Sequence, residues 1–237
     1  MSQRVALVTG SEGGIGRAIV DRLRDIGFKV VTVDINPPAD VILDVANDPL
    51  PEDIFGDVDV CVSNAGIVDT IAPAHSMSRE KWNRDIDVNL TGAFRVVQAC
   101  LPGMRERRYG RIIAVSSMAA KTGLAGKVAY AASKAGLQGA IRTVAIENVA
   151  YGITANCVQP GFVETPGTAA LREADRSALL RTIPTGRLCQ PSEVADLIGF
   201  LAADSSGYIT GQEIGIDGGV GLGQFNLVGN EGRGARS

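Results

Sequence analysis

The sequence predicts an α/β fold built on a parallel sheet, and three observations carry that reading. Short runs rich in Val, Ile and Leu alternate with longer stretches of helical pattern, the order expected of βαβ units. A glycine-rich turn separates the first such run from the first helical stretch. No break in composition divides the 237 residues, so the chain reads as one domain, long enough to bury a substantial core without staples.

The strands expected in order are Val5–Thr9, Lys29–Asp34, Val41–Val45, Val58–Ser63, Gly110–Ser116, Thr154–Gln159 and Glu213–Asp217. Each is a run of four or more residues weighted toward β-branched types and bounded by turn residues. Helical patterns fill Gly14–Ile26, Ser78–Arg107, Val128–Ala150 and Ser192–Ala203, with a shorter one over Thr168–Arg181. Only Ile35 to Ala39 separate the second and third strands, and Pro37 and Pro38 forbid a helix interior there. A helix-free connection is therefore expected at that sheet edge, although parallel crossovers normally contain a helix. The next connection, Ala46 to Asp57, carries Pro49 and Pro51 and has room for a short helix at most. The end of the chain, 221–237, is rich in Gly and polar residues and reads as a flexible tail.

Composition excludes several classes of function. Hydrophobic residues make up 45% and charged residues 21%, as in globular proteins. A net charge of −3, no Lys/Arg cluster that reads as a polyanion patch and 5% aromatics argue against nucleic acid as a partner. The four cysteines, Cys61, Cys100, Cys157 and Cys189, form no CxxC and no metal-ligand spacing, and His75 is the sole histidine. No metal site is expected, and the thiols read as reduced, in a cytoplasmic protein. The first strand starts almost at the N-terminus, which leaves no room for a signal peptide, and no apolar run reaches membrane-spanning length. His75, in a polar segment after Pro73, reads as a surface residue and Trp82 as packing. The charged runs 105–108 and 172–176 read as solvated helix surface.

Two motifs carry chemistry. Thr9-Gly10-Ser11-Glu12-Gly13-Gly14-Ile15-Gly16 follows the first strand and opens the first helix. Gly10 permits the tight turn, and Gly14 and Gly16 let the backbone approach a pyrophosphate. The helix end beyond them offers free N–H groups and the positive end of its dipole. Asp34, eighteen residues past Gly16, ends the second strand, where an acid binds ribose hydroxyls and repels a 2′-phosphate. With no Lys or Arg between Ser11 and Ile15, this favours NAD over NADP.

The second motif is Tyr130-Ala131-Ala132-Ser133-Lys134. Residues four apart share a helix face, so the ammonium can sit beside the phenol. A free phenol titrates near pH 10, so acting as a base near neutrality takes about 4 kcal/mol of help. One ammonium at about 4 Å supplies roughly that at an effective dielectric near 20. The pair is thus suited to moving a proton on and off an alcohol oxygen.

Taken with Thr9-Gly10, Gly14 and Gly16, this pair makes the chain resemble the short-chain dehydrogenase/reductase family over nearly its whole length. Further motifs match in order: Ser63-Asn64-Ala65-Gly66 after the fourth strand, Asn89 within Asp87-Val88-Asn89-Leu90, Ser117 thirteen residues before Tyr130, and Pro160-Gly161-Phe162-Val163-Glu164-Thr165. The region between the second and fourth strands is shorter than usual for the family, and the chain runs further past Asp217-Gly218-Gly219. The resemblance implies a Rossmann-type, doubly wound parallel sheet of about seven strands in the order 3-2-1-4-5-6-7, with helices on both faces. It implies Asn89, Ser117, Tyr130 and Lys134 as catalytic residues. It places Gly10, Gly14, Ile15, Gly16, Asp34, Asp44, Val45, Asn64, Ala65, Gly66, Tyr130, Lys134, Pro160, Gly161, Val163 and Thr165 around the cofactor. A substrate lid is implied over about 166–190, and a homotetramer as the assembly. Met118, Leu124, Phe162 and Leu171 complete the expected pocket wall, an apolar one suited to a small secondary alcohol or ketone.

The first reading is accordingly an NAD-dependent oxidoreductase that interconverts a secondary alcohol and a ketone, with Tyr130 as acid/base. An alternative is a 3-oxoacyl thioester reductase, suggested by likeness to that branch of the family through Asn89-Leu90-Thr91-Gly92-Ala93-Phe94 and the Tyr208 to Gly219 end. Such reductases usually prefer NADPH, so Asp34 counts against it. A third reading is a dinucleotide-binding sensor without turnover.

Overall fold

Seven parallel strands lie side by side in the order β3-β2-β1-β4-β5-β6-β7 in the computed structural model, which describes residues 3–222. The strands are β1 (Val5–Thr9), β2 (Lys29–Asp34), β3 (Val41–Ile42), β4 (Val60–Ser63), β5 (Gly110–Val115), β6 (Ile153–Pro160) and β7 (Glu213–Ile216). The central strands β4, β5 and β6 are buried at every position, as continuous apolar runs require when helices cover both faces. The expected order is thus the observed one. The third strand is shorter than expected: Val41 and Ile42 pair with Val33 and Asp34, and pairing stops there.

Alternate residues of the strands feed two separate cores. Leu7, Cys61, Ile112, Ala155 and Cys157 face one side, where they meet α4 (Ala93–Arg107) and α6 (Val128–Asn148) through Val96, Cys100, Leu137 and Ile141. Ala6, Val8, Val62, Ile113 and Val158 face the other and meet α1 (Gly14–Asp25) and α9 (Pro191–Ala202) through Ile19, Leu23, Val194 and Ile198. This is the doubly wound arrangement. The β2–β3 connection holds no helix, as its prolines dictate, and the next holds only α2 (Glu52–Phe55).

Two helices expected as continuous are broken. The stretch Ser78–Arg107 divides into α3 (Arg79–Ile86), a π-helical turn Asp87–Gly92, and α4. A π turn adds a residue to the helical repeat and is frequent at functional sites. Here it carries Asn89 inward, fully buried. The lid stretch divides into α7 (Pro166–Ala169) and α8 (Glu173–Thr182). A short α5 (Ala119–Thr122), not foreseen, follows β5. Among the described residues no helix is long and apolar enough to cross a membrane, and no group of His, Cys, Asp and Glu side chains is placed to hold a metal. Cys61, Cys100 and Cys157 are buried free thiols. His75 is exposed, whereas Trp82, expected to pack, keeps 37% of its surface exposed. The tail residues 223–237 lie outside the described residues.

Candidate active site

The strands β1, β4, β5 and β6 end on the same side of the sheet, and a cleft of about 650 Å³ opens there along its β1–β2–β4 part. In open α/β sheets ligands bind outside the carboxyl ends of the strands, where the order reverses. The cleft is lined by Gly10, Gly14, Ile15, Gly16, Asp34, Asp44, Val45, Asn64, Ala65, Gly66 and Thr165 from the expected cofactor set, and by Glu12, Leu43, Ile67, Val68, Arg84 and Val88, which sequence reasoning missed.

The glycine turn is built for close backbone approach. Gly10 adopts φ +65°, in the left-handed region. A Cβ on Gly16 would fall 1.9 Å from the Gly10 carbonyl oxygen, with no room to give. The N-cap of α1 is Gly13, which supplies no side-chain acceptor, so the first amides of a twelve-residue helix face the cleft without a capping side chain. The Asn64 amide donates to the carbonyls of Thr9 and Gly10, each at 3.0 Å, and the Thr9 hydroxyl accepts from the Asn64 and Ala65 amides. These bonds tie the turn to the end of β4. The residues fit a dinucleotide: small, backbone-lined and open at a helix N-terminus. Replacing Gly16 with Ala is expected to lower dinucleotide affinity by 100-fold or more, about 3 kcal/mol. Titration by intrinsic fluorescence or calorimetry checks this, and affinity within twofold of the parent would show that the turn does not bind the phosphates.

Asp34 is held differently from the expectation. Its Oδ2 accepts from the Glu12 amide at 2.9 Å and its Oδ1 from the Asn36 amide at 3.0 Å. The carboxylate is a clasp between the glycine turn and the end of β2.

None of the four expected catalytic residues, Tyr130 and Lys134 of the expected cofactor set among them, lines this cleft. Ser117, after β5, accepts from the Ala119 amide at 3.1 Å and stands near enough to the Tyr130 hydroxyl to lower its pKa. Tyr130 and Lys134 lie one turn apart on α6. Two unforeseen residues seat that helix: the Ser116 hydroxyl donates to the Lys134 carbonyl and accepts from Gln138 at 2.9 Å. The Asn89 side chain clasps the loop after β4, its Oδ1 accepting from the Ile67 amide at 2.8 Å and its Nδ2 donating to the Ile67 carbonyl at 2.9 Å. A Cβ on Gly66 would fall 2.8 Å from Asn89 Oδ1 and 3.2 Å from Lys134 Nζ. Gly66 is therefore the gap through which these two groups reach the cleft.

The electrostatics of the pair correct the sequence expectation. Lys134 Nζ lies 6.0 Å from the Tyr130 ring centre and donates to the Val115 carbonyl at 2.8 Å. Burial lowers its pKa to about 8. Tyr130 is raised above its ordinary value, chiefly by burial; the Ser117 hydrogen bond works against that rise and the Asp85 carboxylate adds to it. Burial outweighs the influences that would lower the phenol, so it holds its proton at neutral pH.

The remaining expected residues divide. Pro160 accepts from the Met118 amide at 3.0 Å, and the Gly161 amide donates to Ile216 at 3.0 Å. Val163 is buried in the second core. These three support the Thr165 loop without lining the cleft. The expected substrate pocket is not assembled: Phe162 lines a separate small cavity with Ile183, Thr185 and Cys189, and Leu124 and Leu171 are 40% and 39% exposed. The lid is nevertheless anchored, because Arg176 on α8 forms a bidentate pair with Glu164 at 3.0 and 2.7 Å, next to Thr165.

With this geometry in place, comparison with known proteins decides the family. A family model described as Enoyl-(Acyl carrier protein) reductase matches residues 50–221. The 3-oxoacyl-[acyl-carrier-protein] reductase FabG of Vibrio cholerae is 40% identical over 238 residues, covering 92% of this chain and 97% of the relative. The chain belongs to the short-chain dehydrogenase/reductase family. The 3-oxoacyl-[acyl-carrier-protein] reductase MabA of Mycobacterium bovis is 39% identical over 232 residues, covering 93% and 94%. A crystal structure of an oxidoreductase of the short chain dehydrogenase/reductase family from Burkholderia thailandensis superposes with a TM-score of 0.86 at 32% identity, covering 94% of this chain and 95% of that one.

These relatives overturn the expectation of NAD. The Vibrio cholerae and Mycobacterium bovis relatives are 3-oxoacyl reductases, the branch in which NADPH is the usual donor, and the case for NAD rested on Asp34. Since Asp34 is engaged by the Glu12 and Asn36 amides, an acid at this place is explained by loop architecture. The short-chain dehydrogenase/reductase family implies a nicotinamide dinucleotide, and the cleft fits one.

Proposed function

We propose that this short-chain dehydrogenase/reductase reduces the 3-oxo group of an acyl thioester to a hydroxyl. The observation that carries the reading is the buried Tyr130 phenol, protonated at neutral pH and one helical turn from Lys134, whose ammonium stands against Gly66 of the dinucleotide cleft. Ketone reduction needs a proton donor at the carbonyl oxygen, and a phenol that keeps its proton at neutral pH is one. Likeness along the whole chain to 3-oxoacyl-[acyl-carrier-protein] reductases supports the thioester as substrate class.

A nicotinamide dinucleotide held by the glycine turn and the end of β4 would supply the hydride that the 3-carbon takes up. Ser117 and Tyr130 donate hydrogen bonds to the 3-oxo oxygen and orient it. As negative charge grows on that oxygen, the Tyr130 hydroxyl bond breaks and its proton passes to the oxygen, which becomes the alcohol. Lys134, buried beside the phenol, offsets the phenolate left behind. Asn89 holds the loop after β4 against the π turn, which fixes Gly66 and the space around Lys134. The anchored lid then covers an acyl chain.

The purified protein is expected to consume NADPH with acetoacetyl-coenzyme A at a kcat/KM at least about tenfold above that for an unactivated ketone of similar size. This corresponds to about 1.4 kcal/mol of added transition-state binding. No turnover of the thioester, together with dehydrogenation of simple secondary alcohols, would restore the alcohol dehydrogenase reading. Dinucleotide binding without turnover of either class would favour the sensor.

A further inference from the structure

The loop after β4, residues 67–72, belongs to no strand, and its one β-bridge joins Ala72 to Lys127. It nevertheless forms part of the wall of the dinucleotide cleft, through Ile67 and Val68. Backbone without a ladder is placed by whatever groups satisfy its amides and carbonyls. Asn89 takes the Ile67 end. The Thr70 hydroxyl donates to Asp85 Oδ1 at 2.6 Å, which ties the middle of the loop to α3. The carbonyls of Val68 and Thr70 are held by Lys127.

Lys127 is the N-cap residue of α6, three positions before Tyr130. Its ammonium donates to the Val68 carbonyl and, at 3.0 Å, to the Thr70 carbonyl. Its own carbonyl accepts from the Ala131 amide at 2.8 Å and so opens the hydrogen-bond ladder of α6. The Ala72 amide donates to the Gly126 carbonyl at 3.0 Å, so the main chain is joined at the same place. Of the two carboxylates in Coulombic range of Lys127, Asp69 pairs with Arg84 at 3.0 Å and Asp85 holds Thr70. The ammonium is therefore committed to backbone carbonyls, and a charged donor binds these more strongly than a neutral one.

We propose that Lys127 is a positioning residue: its ammonium straps the cleft wall at Val68 and Thr70 to the first turn of the helix that carries Tyr130. One side chain then sets both the grip on the dinucleotide and the placement of the phenol relative to it. The second half rests on the reading of Tyr130 as the proton donor; the first half does not. A loop fixed before the ligand arrives loses less freedom on binding, and the difference appears as affinity. A reacting group displaced by about 1 Å can lose about 10²-fold in rate.

Lys127→Met keeps the length of the stem and removes the donors. Titration of the full chain with NADPH, followed by nucleotide fluorescence, is expected to show affinity lower by about fivefold or more. Hydrogen exchange of residues 67–72 should be faster in the same variant. Its kcat for acetoacetyl-coenzyme A at saturating NADPH should fall by about tenfold or more. Lys127→Arg can still donate to both carbonyls and should stay within about threefold of the parent in affinity and in kcat. Lys127→Gln takes the place of the methionine variant if that one does not fold. A folded variant that melts at a lower temperature yet binds NADPH within about twofold of the parent overturns the proposal. A merely structural contact changes stability and leaves the affinity of the folded site in place. The titration contains no thioester, so the two readings fail separately. Weakened binding in the variant, with no thioester turnover in the parent, supports the strap and sinks the thioester reading. Turnover in the parent with unchanged binding in the variant sinks the strap alone.

Discussion

Replacing Tyr130 with phenylalanine is expected to reduce kcat for thioester reduction by about 10²–10⁴-fold, the usual worth of a positioned acid. The ring fills the same space, so dinucleotide affinity should stay within about threefold and KM should change little. Loss of kcat with KM retained marks a group that acts in the transition state. Ser117→Ala, which leaves the phenol but removes its partner, should cost less. A Tyr130→Phe enzyme at full rate would mean that the proton comes from elsewhere, and neither the Ser117 bond nor the burial of the phenol would then explain the site.

Lys134→Met gives the opposite balance of stability and activity. The ammonium is 4% exposed, and burial lowers its pKa from 10.5 to about 8. The unfolded chain therefore binds a proton that the folded chain gives up between about pH 8 and 10.5. In that window the unfolded state holds more protons, so stability rises with pH. Below pH 8 both states are charged and the full burial cost, about 3 kcal/mol, is present. Methionine removes that cost but leaves the Val115 carbonyl without its donor, a loss of about 1 kcal/mol. At pH 7 the variant should thus be more stable by about 2 kcal/mol, a melting temperature several degrees higher for a chain of this size. The advantage should shrink as the pH approaches 10.5, while reductase activity falls sharply at every pH. Thermal melts of the two proteins without cofactor, at neutral and alkaline pH, measure it. A variant that melts below the parent at pH 7, with no pH dependence in the difference, would show that Lys134 is compensated by contacts other than Val115.

The two variants separate tasks that the sequence motif merges. Tyr130 and Lys134 are legible as a pair because their spacing puts them on one face of α6. Their mutual electrostatics are not legible, because the lysine has a carbonyl within reach on β5 and takes it. The same division runs through the site. The glycine turn could be read because it lies between a strand and a helix and its backbone demands small residues. Asp34 misled for the converse reason: its position is a sequence fact, but its partners, the Glu12 and Asn36 amides, are set by how the loop folds back. Phe162 was legible as part of a motif, yet the cavity it lines is completed by Ile183 and Cys189, which only the fold brings next to it. Asp85 gave no sequence signal at all. On a polar helix an aspartate reads as solvated, and only the packing of α3 on α6 turns it inward.

What the sequence determined by itself was everything written in local spacing: the seven strand runs and their order through family likeness, the proline-enforced gap between β2 and β3, the phosphate turn and the Tyr-Lys pair. These follow from backbone periodicity and from residues whose conformational limits act within a few positions. What only the tertiary structure decided was the state of the charges and of Asn89: a lysine drawn to Val115, a phenol left protonated, and a π turn that carries Asn89 inward. Coulombic and desolvation energies depend on distance through space and on exclusion of water, and neither is a property of position along the chain.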